Sequence, residues 1–400
     1  MRYNDSRIFK ALIVCLAACC LCMSGGCQKP AAKDEFAPVF YPPPPSTPRL
    51  QFLTSYAGGE DFNVEKASFL ETFVLGDSEV PLATIVKPYG VAIHKGKIYV
   101  CDVGQGNIKI MDLVNNTFAA FPSGRSLQTP ANIFIEADGT KYIADAGAGV
   151  VSVWNADDKL VAFLGRDLGM RPIDVAVRGG NVHITDANSN QVLVLDKHSG
   201  QLVARIGKGV ADGQRPGGEE LAMITDVAVD DKGDVYVGDK LKGSVTRFNS
   251  GGGFVRSYGQ GGGSSPAGLV RSKGIAVDQE RRVWIVDAGP SCAVKVFQDE
   301  GRLLMYFGTL GTEPGQMYLP ADVVIDYDNV ELFQKYAVKD AKLDFVVLVT
   351  NQFGDQKVSV YGFGTFPELF LPSGATPVGV QPAGEQAEPQ EPGANDAPGG

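Results

Sequence analysis

Histidine is nearly absent from this chain: 400 residues hold three, His94, His183 and His198, and tryptophan occurs twice. So few imidazoles leave little for a histidine-ligated metal. No G-x-S-x-G, P-loop or H-E-x-x-H motif is present, which removes three common sources of hydrolytic, phosphate-transfer and zinc-protease chemistry. Positive charge is scarce as well. Lys and Arg number 36 against 46 Asp and Glu, for a formal net charge of −10. Nucleic-acid binding needs clustered cations that release counterions from phosphates, so no nucleic-acid partner is expected. Long apolar runs are missing too, since "ALIVCLAACCLCM" at 11–23 falls short of the roughly 20 residues a membrane span requires. Cysteine is confined to one end. Cys15, Cys19, Cys20, Cys22 and Cys27 crowd the start, and only Cys101 and Cys292 remain in the body. Neither a zinc site nor a disulfide framework fits that spacing, and Cys101 reads as a small buried hydrophobe.

What is present begins with an address. Arg2, Arg7 and Lys10 precede the apolar run, and Ser24-Gly25-Gly26 precede Cys27; that order is an export signal with a cleavage site. "MSGGC" resembles a bacterial lipobox, and "LAAC" ending at Cys19 is a rival that leaves a very short apolar run. The resemblance implies a signal peptide over 1–26, an acylated Cys27 and a membrane held through its lipid. Gln28 rather than Asp follows the cysteine, which implies the outer membrane in a Gram-negative envelope. Cleavage takes away Arg2, Arg7, Lys10 and Asp5 and moves the net charge from −10 to −12. Residues 27–48 contain four consecutive prolines at 42–45 and are expected to form a semi-rigid polyproline stalk. Residues 373–400 contain no Lys, Arg or aromatic residue, so a disordered acidic tail rich in Pro and Gly is expected.

Between stalk and tail runs a repeat. "YGVAI", "ANIFI", "IDVAV", "TDVAV", "KGIAV" and "ADVVI" carry Gly90, Asn132, Asp174, Asp226, Gly274 and Asp322 at spacings of 42, 42, 52, 48 and 48. Each unit continues with a second strand ending in Asp (Asn351 in the sixth), a turn and a third strand. A Gly-flanked fourth strand usually follows, as in "LVAFLG", "LVARIG", "FVRSYG" and "LLMYFG". Four short strands per 40–50 residues match a propeller blade. A twisted four-stranded sheet buries both faces only against neighbours, so six units predict a ring. The sixth unit lacks a convincing fourth strand, whereas "RLQFLTSYAGG" at 49–59 has a fourth strand's cadence but precedes the first unit. The fold class expected is therefore all-β: a six-bladed β-propeller over 49–372, with four-stranded antiparallel blades. Its N-terminal strand pairs with 357–363 to complete the last blade. The insertion at 328–344 carries Leu332, Phe333, Tyr336 and Leu343 at roughly helical spacing and predicts a short helix.

The cadence P-x-G-[IV]-A-[VI], a strand, then [AV]-D-x-x-[GN]-x-x-[IV], resembles NHL repeats over about residues 87–364. With the lipobox and the Pro-rich segment, the chain is similar to bacterial NHL-repeat lipoproteins. That likeness implies the propeller but no activity.

Two residue sets could carry function. Asp102, Asp145, Asp186, Asp239 and Asp287 end the second strands; Asp there bonds backbone N–H groups two residues on and holds the turn. Asn132, Asp174, Asp226 and Asp322 open the first strands. Antiparallel strands bring both sets to one face, so the four could ring the channel mouth. Hard cations such as Ca²⁺ take roughly six to eight oxygens, and gluconolactonase-like propellers place a divalent ion in this region. The glutamate and asparagine motifs of that family are not apparent here. An NHL-type amidating lyase would need several histidine ligands, and the three histidines do not occupy matching blade positions.

Two functions follow. The first is a non-catalytic scaffold in the bacterial envelope, lipid-anchored, without a cofactor, whose Asp-bearing face attracts a cationic protein partner. The second is a divalent-metal-dependent hydrolase or lyase acting through the four channel residues.

Overall fold

The computed structural model describes residues 37–62, 84–124, 126–210, 216–259 and 262–367. The segments expected to be a signal peptide (1–26), an acylated Cys27 and an acidic tail (373–400) lie outside the described residues. Six antiparallel sheets of four or five strands succeed one another among the described residues, and a short parallel pair, Lys208–Gly209 with Glu220–Leu221, lies between the third and fourth. Their first strands are Pro88–His94, Pro130–Ile135, Pro172–Arg178, Ile224–Val229, Ser272–Val277 and Pro320–Asp326. The sheets form because each segment alternates β-branched and aromatic residues between glycine-bearing turns. Second and third strands are buried on both faces, as in Val235–Asp239 and Ser244–Phe248, and so read as continuous apolar runs.

The core is divided among the gaps between blades. Ile133, Ile143 and Trp154 pack against Tyr99 and Cys101 between blades 1 and 2. Trp284, Val296 and Phe307 face Phe345 and Val347 between blades 5 and 6. Ring closure shows in the cluster that joins Leu53, Val346 and Val358 of blade 6 to Val91, Ile98 and Met111 of blade 1. Each sheet thus buries both faces against neighbours, which supplies the hydrophobic drive a lone blade lacks.

The expected closing strand is in place. Leu50–Tyr56 pairs antiparallel with Val358–Thr365, from Leu50 opposite Phe363 to Tyr56 opposite Val358. The structure extends the sheet beyond residue 49. Phe40–Tyr41 adds a fifth strand, with Phe40 opposite Gln51 and Tyr41 opposite Leu50. The prolines at 42–45 therefore form the loop of a hairpin, where a stalk was expected. The reason is aromatic burial: the Phe40 ring meets Phe366 at 5.4 Å and the Tyr41 ring meets Phe307 at 5.9 Å. The expected helix is present at Val330–Gln334, pinned by buried Phe333. It is one turn long, because Tyr336 and Leu343 lie beyond its end.

Candidate functional site at the channel mouth

Every first strand breaks register with its neighbour just after it begins, for example between Pro172 and Asp174 and between Pro320 and Val323. The same irregularity recurs in the other four blades. Such bulges re-aim side chains. Here they turn Asn132, Asp174, Asp226 and Asp322 toward the axis, where all four line a central cavity of about 200 Å³. Below them the walls are apolar, running past Val91, Val175, Val227, Ile275 and Val323 toward Phe134, Val177 and Ile325. The remaining two ring positions are glycines for steric reasons. A Cβ on Gly90 would stand 2.2 Å from Asn132 Oδ1, and one on Gly274 would stand 2.5 Å from Asp322 Cα.

The sequence places these four residues correctly at the channel, but their oxygens are engaged. Asp174 accepts Val175 N–H and Val227 N–H, each at 2.7 Å. Asp226 accepts Ile275 N–H at 2.9 Å. Asp322 accepts Val91 N–H at 2.9 Å and Val323 N–H at 2.8 Å. Asn132 accepts Ile133 N–H at 2.8 Å, and its side chain also bonds Asp322. Three of these bonds run from one blade to the next, so the ring laces the inner strands together. Burial, reinforced by the neighbouring carboxylates, pushes Asp174 and Asp226 far above the usual carboxylate range. Burial lifts Asp322 to about 7, against the pull of its two backbone donors. Asp174 and Asp226 are hydrogen-bonded to each other, which needs a proton between them. Among the described residues no three His, Cys, Asp or Glu stand close enough to hold a metal ion.

The strand-ending aspartates are tied just as closely. Asp102 accepts the N–H groups of Val86 at 2.8 Å, Lys87 at 2.9 Å and Gly104 at 3.0 Å. Asp145 does the same for Gln128, Thr129 and Gly147, Asp186 for Arg171 and Asn188, and Asp239 for Ala222 and Leu241. Asp287 holds Arg271 and Gly289 N–H and pairs with Lys295 at 3.0 Å. Asn351 bonds Tyr318 N–H in the same way. Each carboxylate thus clamps both its own turn and the segment leading into its blade's first strand. Sequence spacing pointed to the first bond and not to the second.

None of these ten carboxylate or amide groups is exposed. Lys87, Arg171, Lys240 and Arg271, together with the acidic Glu219, Glu313 and Asp355, are exposed in the loops and turns of this face. Two further residues went unnoticed in the sequence. Tyr89 and Lys273 occupy the position just before Gly90 and Gly274, where the other blades carry Ala131, Ile173, Thr225 and Ala321. The Lys273 ammonium stands 5.4 Å from the centre of the Tyr89 ring. Tyr89 in turn feels Asp226, Asp322 and Asp174, which together with its burial raise its hydroxyl above the ordinary range. A side-by-side alignment of the six units would have exposed both residues as departures from a small or aliphatic norm.

The histidines stay apart. His94 and His183 belong to blades 1 and 3, and His198 lies exposed in a turn. Cys101 and Cys292 are both free and buried.

The chain matches no family model and no curated protein sequence. Among solved structures it is similar to a structural-genomics protein of unknown function from Bacteroides thetaiotaomicron, at 13% identity and a TM-score of 0.54, covering 78% of this chain and 75% of that one. An auxiliary nutrient binding protein from the same organism gives 13% identity and a TM-score of 0.51, covering 70% of each chain. The gluconolactonase XC5397 from Xanthomonas campestris gives 15% identity and a TM-score of 0.50, covering 79% of this chain and 89% of that one. At such identities the likeness establishes the six-bladed fold alone, a frame shared by binding proteins and enzymes.

Proposed function

We propose that this chain is an NHL-type propeller lipoprotein, exported and anchored through Cys27, that serves as a non-catalytic protein-binding scaffold in the bacterial envelope. The observation that carries the reading is an arc of exposed apolar side chains on the face bearing the strand-ending turns. Val86, Met223, Leu241, Val270, Tyr318 and Phe353 all lie there, each more than two-fifths exposed. Tyr318 and Phe353 pack together at 5.5 Å, and the set is drawn from the successive blades 4, 5, 6 and 1. Exposed apolar side chains grouped on one face of a rigid frame suit an interaction site. Lys87, Lys240 and Arg271, which neighbour them in sequence, favour acidic groups in the partner, whereas the sequence alone suggested a cationic one. Affinity capture from solubilised native envelope, comparing the wild-type chain with a Leu241→Glu, Val270→Glu, Tyr318→Glu variant, tests this. A partner held by the wild type and lost with the variant supports the scaffold; identical captures oppose it.

The competing reading, a divalent-metal hydrolase or lyase, draws on the convergence of Asp174, Asp226 and Asp322 on one cavity. Their bonds to backbone N–H groups and their preference for the neutral form count against it. Elemental analysis of the purified chain separates the two, since a stoichiometric divalent ion that vanishes in Asp174→Ala, Asp226→Ala would establish the enzyme reading.

A further inference from the structure

We infer that Lys273 is the centre of an anion-binding site over the carboxylate end of the channel, and that the site takes a carboxylate or phosphate group. The contrast with the other buried lysines carries the inference. Lys141 pairs with Asp158 at 2.7 Å and donates to Gly139 O at 3.1 Å. Lys295 pairs with Asp287 at 3.0 Å and donates to Gly268 O at 2.5 Å. Lys109 donates to Gln105 Oε1 at 2.7 Å. Lys273 is 9% exposed, yet among the described residues its ammonium has no hydrogen bond and no ion pair, only the Tyr89 ring. Buried ammonium groups are ordinarily paired, because desolvation without compensation is unfavourable.

The surroundings make the gap more pronounced. Arg271, Lys240 and Lys87 act on Lys273 with the same sign of charge and, after burial itself, lower its pKa to about 8. None of those three has an ion pair among the described residues, although each is exposed. Four cations around one mouth therefore lack a counter-charge. An anionic group seated beside Lys273 would supply it, with Tyr89 as the floor of the site. Arg271 and the lysines supply donors suited to carboxylate or phosphate oxygens.

The inference deepens the reading of this face as a docking surface and rests on it only for the source of the anion, which is either a free small anion or an acidic side chain of a docked protein. The test titrates purified chain at low ionic strength with inorganic phosphate, with hexaglutamate and with hexaglutamine, following calorimetric heats and melting temperature. Saturable binding of phosphate or hexaglutamate is expected, with a matching rise in melting temperature. Lys273→Met should weaken that binding at least tenfold while leaving the anion-free melting temperature unchanged or higher; Lys273→Gln replaces it should Met fail to fold. Absence of saturable binding by either anion, or less than tenfold weakening in the variant, overturns the inference. Phosphate binding without peptide binding keeps the site and removes the docked protein as its source. Identical captures by the wild-type and glutamate-variant chains, with phosphate binding intact, would sink the scaffold and leave the anion site standing.

Discussion

The Asp322 carboxylate of the sixth blade accepts the N–H of Val91 in the first at 2.9 Å, across 231 residues of sequence. The same bond joins Asp174 to Val227 and Asp226 to Ile275. Buried acids here act as acceptors that hold neighbouring sheets at a fixed spacing, and their chemistry sets the pH response of the fold.

Asp174, Asp226 and Asp322 hold protons in the folded chain that the unfolded chain releases above about pH 3.9. Folding therefore favours proton uptake by these groups, and their contribution falls as pH rises from about 4 toward the folded value, about 7 for Asp322. His183 works in the opposite direction. Burial lowers it to about 4 from about 6.5 unfolded, so its contribution rises with pH between those values. Above pH 6.5 the imidazole no longer titrates and the three acids lower stability, while Lys273, lowered to about 8, works against them only from about pH 8 upward. Urea unfolding is expected to show a loss on the order of 2–4 kcal/mol between pH 6.5 and pH 8. Stability that is flat or rising across that range would contradict the buried-acid assignment.

Asp226→Asn isolates one member of the ring. The carboxamide oxygen retains the Ile275 N–H bond, and its NH₂ donates to Asp174 without a shared proton. The variant should be more stable than wild type at pH 8 and show a shallower pH slope, read from the same unfolding curves. Lower stability at every pH would show that the carboxyl group itself is needed.

Gly274 permits the close approach of blades 5 and 6. Gly274→Ala should destabilise by about 1–3 kcal/mol through overpacking, since the new methyl meets the Asp322 backbone. Gly180→Ala, which meets nothing within 4 Å, should stay within about 0.5 kcal/mol of wild type. Equal effects would deny the inner-strand contact its role.

Closure of the ring rests on the N-terminal strand. Leu50 is fully buried against the last blade, so Leu50→Ala should cost about 2–5 kcal/mol. Val203→Ala, on an exposed outer strand, should be close to neutral. Chemical denaturation of the two variants checks the difference.

The repeat made the ring legible because every blade solves the same burial problem with the same spacing. Even the closing strand could be read, since 49–59 carries the cadence that the sixth unit lacks. The hairpin around Pro42–Pro45 could not, because four prolines outweigh two aromatics in any local reading, while the partners Phe366 and Phe307 lie some 300 residues away in sequence. The four channel residues were placed from periodicity alone. Their burial and bonding were hidden, since a bulge is a property of strand pairing and not of composition. Lys273 escaped for a related reason: its lack of a counter-charge emerges only when the fold sets its ammonium 5.4 Å from the Tyr89 ring.

The most direct test of the proposed scaffold places a photo-crosslinking side chain at Val270, on the turn face, or at Val203, on the outer rim, in the full-length chain made in its native cell. Irradiation is expected to give one discrete protein adduct at position 270 and none at position 203. Adducts at neither position, or equally at both, would contradict the assignment of this face as the binding surface.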